Sequence, residues 1–182
     1  MLYRAYFPND VDMSLPYVWP LNRGVEDGRH EIFLRKVGSK AVRKNVEAFQ
    51  LEVLKRRTDL IPLLEAFCKE KELKFDISMN EVLDYCVLEY PFAFWQWGTS
   101  VGQIPLLSSD NQTILDHLIK IGRPEYFTES EYFGSFFVQA ARELGYYGYD
   151  TKPLKKYLSI ENSKGYLDRI MLPKSAGKIT FN

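Results

Sequence analysis

Cysteine and histidine are scarce in this 182-residue chain, at two copies each. Cys68 and Cys86 sit in apolar stretches without C-x-x-C spacing, so they read as packed thiols and not as a redox pair. His30 and His117 lack the H-E-x-x-H spacing that holds zinc, so neither a metal nor another cofactor is expected. Charge of one sign is not in excess either: 24 Lys and Arg stand against 24 Asp and Glu. A dedicated nucleic-acid binder carries a basic surplus that releases phosphate counterions, which sets nucleic acid aside as a partner. The cluster Lys55-Arg56-Arg57 reads instead as the solvated end of a helix. Long hydrophobic runs are missing too. The most apolar stretch, residues 82–97, is broken by Asp84, Glu89 and Pro91 and is too short to span a bilayer, so no membrane partner is expected. The N-terminus does not pattern as a signal peptide.

What the chain does have is apolar material: 46% hydrophobic and 15% aromatic residues, enough for a sizeable core. The opening MLYRAYFP patterns as the last turns of a helix stopped by Pro8. VDMSLPYVWP follows with the β-branched and aromatic content of a strand, and LNRGVEDGRHE reads as a loop bending at Gly24 and Gly28. From Ser39 the pattern turns helical. Ser39 caps a helix running to Arg57, with Val42, Val46, Phe49, Val53 and Leu54 on one face. A second helix is predicted over residues 59–73, with Pro62 in its first turn. Capping boxes at Ser78…Glu81, Ser109…Gln112 and Thr128…Glu131 announce three more. The last carries a Tyr/Phe stripe and ends at Gly145. Then GYYGYD leads to a short helix with Pro153 in its first turn, and the tail reads as irregular. One strand cannot make a sheet, so the expectation is a piece of a larger protein.

Gly98-Thr99-Ser100-Val101-Gly102 spells G-x-S-x-G, the pattern of a serine hydrolase's nucleophile elbow. That elbow needs a strand before the serine and a helix directly after it. Here the preceding residues read as helix, and Gly102 and Pro105 oppose an immediate helix. Only His117 follows as a possible base. Ser100 is therefore rejected as a nucleophile.

Three long segments carry a different signal. YRAYFPNDVDMSLPYVWPLN, then EDGRHEIFLRKVG and LEYPFAFWQWG, resemble the bacterial prolyl tri/tetrapeptidyl aminopeptidase family of secreted serine peptidases. In that family the nucleophile's helix ends in a Tyr-Arg…Tyr-Pro segment, matched here by Tyr3-Arg4 to Phe7-Pro8. The resemblance implies a mostly α chain, the helical cap (lid) domain of an α/β-hydrolase with one helix end and one strand of the core attached. Residues 1–36 then correspond to core, 37–163 to the cap, and 164–182 to a return segment. It also places the nucleophile before Met1 and the family's Asp and His beyond Asn182, so no catalytic residue is assigned within the chain. Met1 accordingly reads as an internal methionine, and a fragment inactive by itself is expected. For the parent the resemblance implies a peptide substrate and a secreted or periplasmic location. A stand-alone helical module that binds peptides or another protein is the alternative.

Substrate-binding candidates follow from that frame. An exopeptidase that measures from a free N-terminus needs an anion for the ammonium, and Glu26 and Asp27 offer carboxylates in the loop after the strand. The competing reading is a plain Asp27-Gly28 turn, with Glu26 paired to Arg23 or Arg29. The run Tyr90, Phe92, Phe94, Trp95, Trp97 could wall a pocket for a proline ring, with Trp95 and Trp97 as contacts. It could equally be the core of the cap. His30 reads as a hydrogen-bonded loop residue.

Overall fold

The computed structural model describes residues 6–13, 28–128 and 147–161. Among them lie five α-helices: α1 (Arg29–Leu34), α2 (Lys40–Lys55), α3 (Arg57–Glu70), α4 (Met79–Gln96) and α5 (Asn111–Gly122). Short 3-10 turns follow at Val101–Gln103, Pro124–Phe127 and Lys152–Leu154. No strand occurs among the described residues. Of the expected strand, residues 11–13 are irregular and 14–20 lie outside the described residues. The helix expected after Thr128 lies outside them as well. The end of the expected acidic loop is not loop: Arg29, His30 and Glu31 open α1.

Local chemistry explains the helix starts. Ser39 accepts from Val42 N at 3.2 Å, and Ser78 and Glu81 form the reciprocal capping box. At α5 the cap is Asp110 and not Ser109: its carboxylate takes Thr113 N at 2.9 Å and Thr113 Oγ1 at 2.7 Å. An anion is the better partner for a helix N-terminus than a hydroxyl, and these bonds hold the Asp110 carboxyl below its usual range. The α2–α3 junction also differs from expectation. α2 stops at Lys55, Arg56 makes a turn, and α3 begins at Arg57, so Pro62 sits inside the helix. Its missing N–H leaves the Thr58 carbonyl without an intrahelical partner, and Thr58 is exposed to solvent.

Arg56 and Arg57 are staples instead of a solvated basic end. Arg56 donates to Glu52 Oε1 (2.7 Å), the Ser109 carbonyl (2.6 Å), the Leu107 carbonyl and Asn111 Oδ1 (3.1 Å). It thereby ties the turn to the residues before α5. Arg57 reaches Asn80, Asp84 and the Tyr157 carbonyl (2.9 Å). Only a guanidinium, with five donors in a fixed fork, can serve so many acceptors.

α4 is the axis of the fold, packed by α2, α3, α5 and the Pro124–Phe127 turn. Val82, Leu83, Tyr85, Val87, Tyr90 and Phe94 are buried around its whole circumference, as expected for a helix that is apolar on every side. Each side chain of that size contributes about 1.5–3 kcal/mol on burial. Cys68 and Cys86 are free and buried, which keeps both thiols protonated: burial raises Cys68 to about 11 and Cys86 well above its usual value. α5 comes so close to α4 that a Cβ on Gly122 would stand 2.5 Å from the Cys86 carbonyl oxygen.

Pro91 interrupts the hydrogen-bond ladder of α4 at the Val87 carbonyl, because proline has no N–H to donate four residues back. Gln50 of α2 replaces it, its Nε2 donating to Val87 O at 2.7 Å from a buried position. Gln50→Leu should cost about 1–3 kcal/mol, the penalty of a buried carbonyl left unpaired. Combined with Pro91→Ala, which restores the helical N–H, the same change should cost clearly less. Equal costs in the two backgrounds, measured by urea unfolding, exclude this pairing.

Candidate functional site

A cleft of about 300 Å³ opens between α1, the first half of α2, the last half of α4 and the segment 149–154. Its apolar surface comes from Leu34, Val46, Leu88, Pro91, Phe92, Trp95, Pro153 and Leu154, and its charged groups are Glu31, Arg35, Arg43, Glu47 and Asp150. Most of those charges are already engaged. Arg35 pairs with Asp150. Glu31 Oε1 accepts from Asp150 N at 2.8 Å, and burial outweighs that bond, raising the Glu31 pKa. Arg43 Nη1 donates to the carbonyls of Lys36 (3.2 Å), Val37 (2.8 Å) and Gly38 (2.7 Å), closing the end of α1 onto α2. Glu47, exposed on the rim, has no hydrogen bond or ion pair with a described residue.

The wall behind the cleft is aromatic and acidic. Phe92, Tyr147 and Tyr149 pack with ring centroids 5.1–5.8 Å apart, and His30 joins at 5.7 Å from Tyr147. His30 therefore belongs to a helix and an aromatic cluster instead of a loop. Tyr149 donates to Glu89 Oε2 at 2.6 Å and Tyr147 to the same oxygen at 3.1 Å. Glu89 is 5% exposed, and burial pushes its carboxyl up to about 7 against the pull of the two hydroxyls. Sequence reasoning passed over Glu89 as an interruption of an apolar run. A carboxylate in the middle of the most apolar helix, with tyrosines clustered downstream, was the available signal.

The candidates from sequence are distributed unevenly. Trp95 lines the cleft, as does Phe92, while Tyr90 and Phe94 are core. The aromatic run thus serves both purposes, alternating with the turn of the helix. Trp97 stands 63% exposed at the end of α4 and is not among the lining residues. Glu26 and Asp27 lie outside the described residues. Ser100 caps the turn Val101–Gln103, its Oγ accepting from Gly102 N, and it follows a helix instead of a strand. His117 faces Tyr90 Oη at 2.8 Å, and burial lowers its pKa. Among the described residues no group of three His, Cys, Asp or Glu side chains could hold a metal, and no helix is long and apolar enough to cross a membrane.

These features define a mostly helical protein with an apolar cleft, at whose rim Glu47 has no partner among the described residues. The chain matches the family model described as PS-10 peptidase S37 over residues 1–153, and it belongs to that peptidase family. It is similar to the prolyl tri/tetrapeptidyl aminopeptidase of Streptomyces mobaraensis, 25% identical over 177 residues. That match covers 92% of this chain and 37% of the relative, so the chain spans little more than a third of the relative's length. No solved structure matches it.

Glu89 sets an expected pH dependence of stability. Between its ordinary 4.5 and about 7, the unfolded chain has released this proton and the folded chain still holds it. Stability contributed by Glu89 is therefore full below about 4.5, falls as pH rises to about 7, and is level above. The drop is on the order of 3 kcal/mol. Glu89→Gln, which keeps an oxygen for the tyrosines, should remove that slope from denaturant unfolding measured between pH 5 and pH 8. An identical slope in wild type and variant rules the assignment out.

Proposed function

We propose that this chain is the helical cap of a serine-type tripeptidyl or tetrapeptidyl aminopeptidase of α/β-hydrolase fold, and that its cleft holds the amino-terminal part of the peptide. The observation that carries the reading is the Glu47 carboxylate, without a partner among the described residues, at the rim of an apolar cleft walled by Phe92 and Trp95. A peptide N-terminus has matching chemistry: an ammonium beside an apolar side chain or proline ring. Membership in a peptidase family and similarity to a prolyl tri/tetrapeptidyl aminopeptidase support it. Glu26 and Asp27 join this reading as further carboxylates, because they directly precede Gly28 and α1, whose Glu31 lines the cleft. Trp97 joins as an exposed indole two residues beyond Trp95 of the cleft wall.

On this reading the nucleophile, the acid and the histidine belong to the remainder of a longer protein, secreted or periplasmic like the family it resembles. The chain alone then hydrolyses no peptide. A fluorophosphonate probe should leave it unlabelled, and stoichiometric labelling of Ser100 refutes the assignment of that serine as a turn cap.

Calorimetric titration with Leu-Ala-Pro amide, free or N-acetylated, tests the binding role. The free amine should bind more tightly. Glu47→Gln should weaken it by about fivefold, as for a partly exposed ion pair near 1 kcal/mol. Glu26→Gln or Asp27→Asn should cost up to about 2 kcal/mol if either meets the ammonium directly. Acetylated peptide should be indifferent to all three. Equal binding of both peptides, unaffected by the substitutions, favours a stand-alone module that reads some other part of its ligand.

A further inference from the structure

Gly38 lies in the short link between α1 and α2, with φ +62°, in the left-handed region where glycine is at ease. Conformation is only half of what it contributes. A Cβ built at this position would stand 2.3 Å from Cη2, 2.8 Å from Cζ3 and 3.2 Å from Cζ2 of Trp95. All three atoms belong to the benzo ring, so that edge of the indole rests on bare backbone. The backbone itself is fixed, because the Gly38 carbonyl is held by Arg43 Nη1 at 2.7 Å and the preceding two carbonyls by the same nitrogen. Ordinary contact needs about 3.4 Å or more, so any side chain at 38 must drive the ring back by about 1 Å. Trp95 is a wall of the cleft, and the unfilled volume beside it lies there.

We propose that Gly38 is a specificity-determining residue: by lacking a side chain it lets Trp95 lie back against the α1–α2 link, and so keeps the apolar end of the cleft wide enough for a bulky side chain or proline ring. The proposal rests on the reading of the cleft as a peptide site. Arg43 is the positioning residue that holds the link still.

The test uses the full chain with two probes, Leu-Ala-Pro amide and Gly-Gly-Gly amide, and the variants Gly38→Ala, Trp95→Phe and the double variant. Gly38→Ala should weaken Leu-Ala-Pro amide by about tenfold, the scale on which an apolar pocket discriminates by a methylene or two, and leave the triglycine amide within about twofold. Phenylalanine at 95 lacks the clashing edge, so the double variant should return to within about threefold of Trp95→Phe alone. Backbone strain at φ +62° lowers the melting temperature of Gly38→Ala and the double variant alike, so melting should not follow binding. Wild-type affinity in Gly38→Ala, or a double variant as weak as Gly38→Ala, overturns the proposal. A second readout is independent of any ligand: in protein labelled with fluorotryptophan, the Trp95 resonance, assigned by its loss in Trp95→Phe, should shift in Gly38→Ala. An unmoved resonance overturns the proposal outright. A shifted resonance in a protein that binds neither peptide refutes the peptide reading, and the hold of Gly38 on Trp95 stands.

Discussion

A helix buried on every side must find partners for whatever polar groups it carries, and α4 carries several. Asp84 is fully buried and accepts from Arg57, from Ser159 N (2.7 Å) and Oγ (2.5 Å), and from Ile160 N (3.1 Å). Glu89 takes two tyrosine hydroxyls, and the Val87 carbonyl takes Gln50. An unpaired charge at such a depth costs several kcal/mol, so each of these groups selects the segment that must pack over it. Arg57 fixes the start of α3, Gln50 fixes the register of α2, and the two acids recruit residues 147–160. Apolar burial supplies the stability of α4. Its polar groups decide which neighbour goes where.

The cleft is a consequence of the same arrangement. α1 does not pack through buried apolar side chains, since none of its residues is buried. It is held from its middle to its C-terminal end by polar contacts, Asp150 to Glu31 and Arg35 and then Arg43 to the three carbonyls of the link, while His30 packs beside Phe92 and Tyr147. A helix with no buried side chain of its own leaves a gap beside it, and the gap is lined by the α4 side chains that face it. The engaged charges fix the walls, and Glu47 at the rim pairs with none of the described residues.

Tyr149 connects the two parts. Its hydroxyl is bound to Glu89 inside the core, and its side chain also lines the cleft. The protonation state of one buried carboxyl is therefore coupled to a wall of the cleft through a single rigid ring. The helical part of the molecule thereby shapes a compartment with its own electrostatics.

Much of this was legible in the chain itself. Helical periodicity placed Val46, Phe49, Val53 and Leu54 on one buried face, and the cap at Ser39 and the box at Ser78 marked true helix starts, because caps and faces are set by residues within a turn of each other. The family resemblance was legible as well, carried by long segments. That Ser100 follows a helix and not a strand was legible from its neighbours alone. Other features depended on residues far apart in sequence. Lys55-Arg56-Arg57 looked like a solvated end, yet two of its members find acceptors 23 to 100 residues away. Nothing local distinguishes an arginine that reaches water from one that reaches a buried aspartate. Asp84 and Glu89 read as interruptions, and Trp95 could not be told from Phe94, because burial on a helix surrounded by neighbours depends on what lies opposite. Sequence by itself determined the helices and the family, which are properties of short-range pattern and ancestry. Tertiary structure alone decided the cleft, the carboxylate at its rim and the partners of the buried acids, since these arise only when distant segments come together.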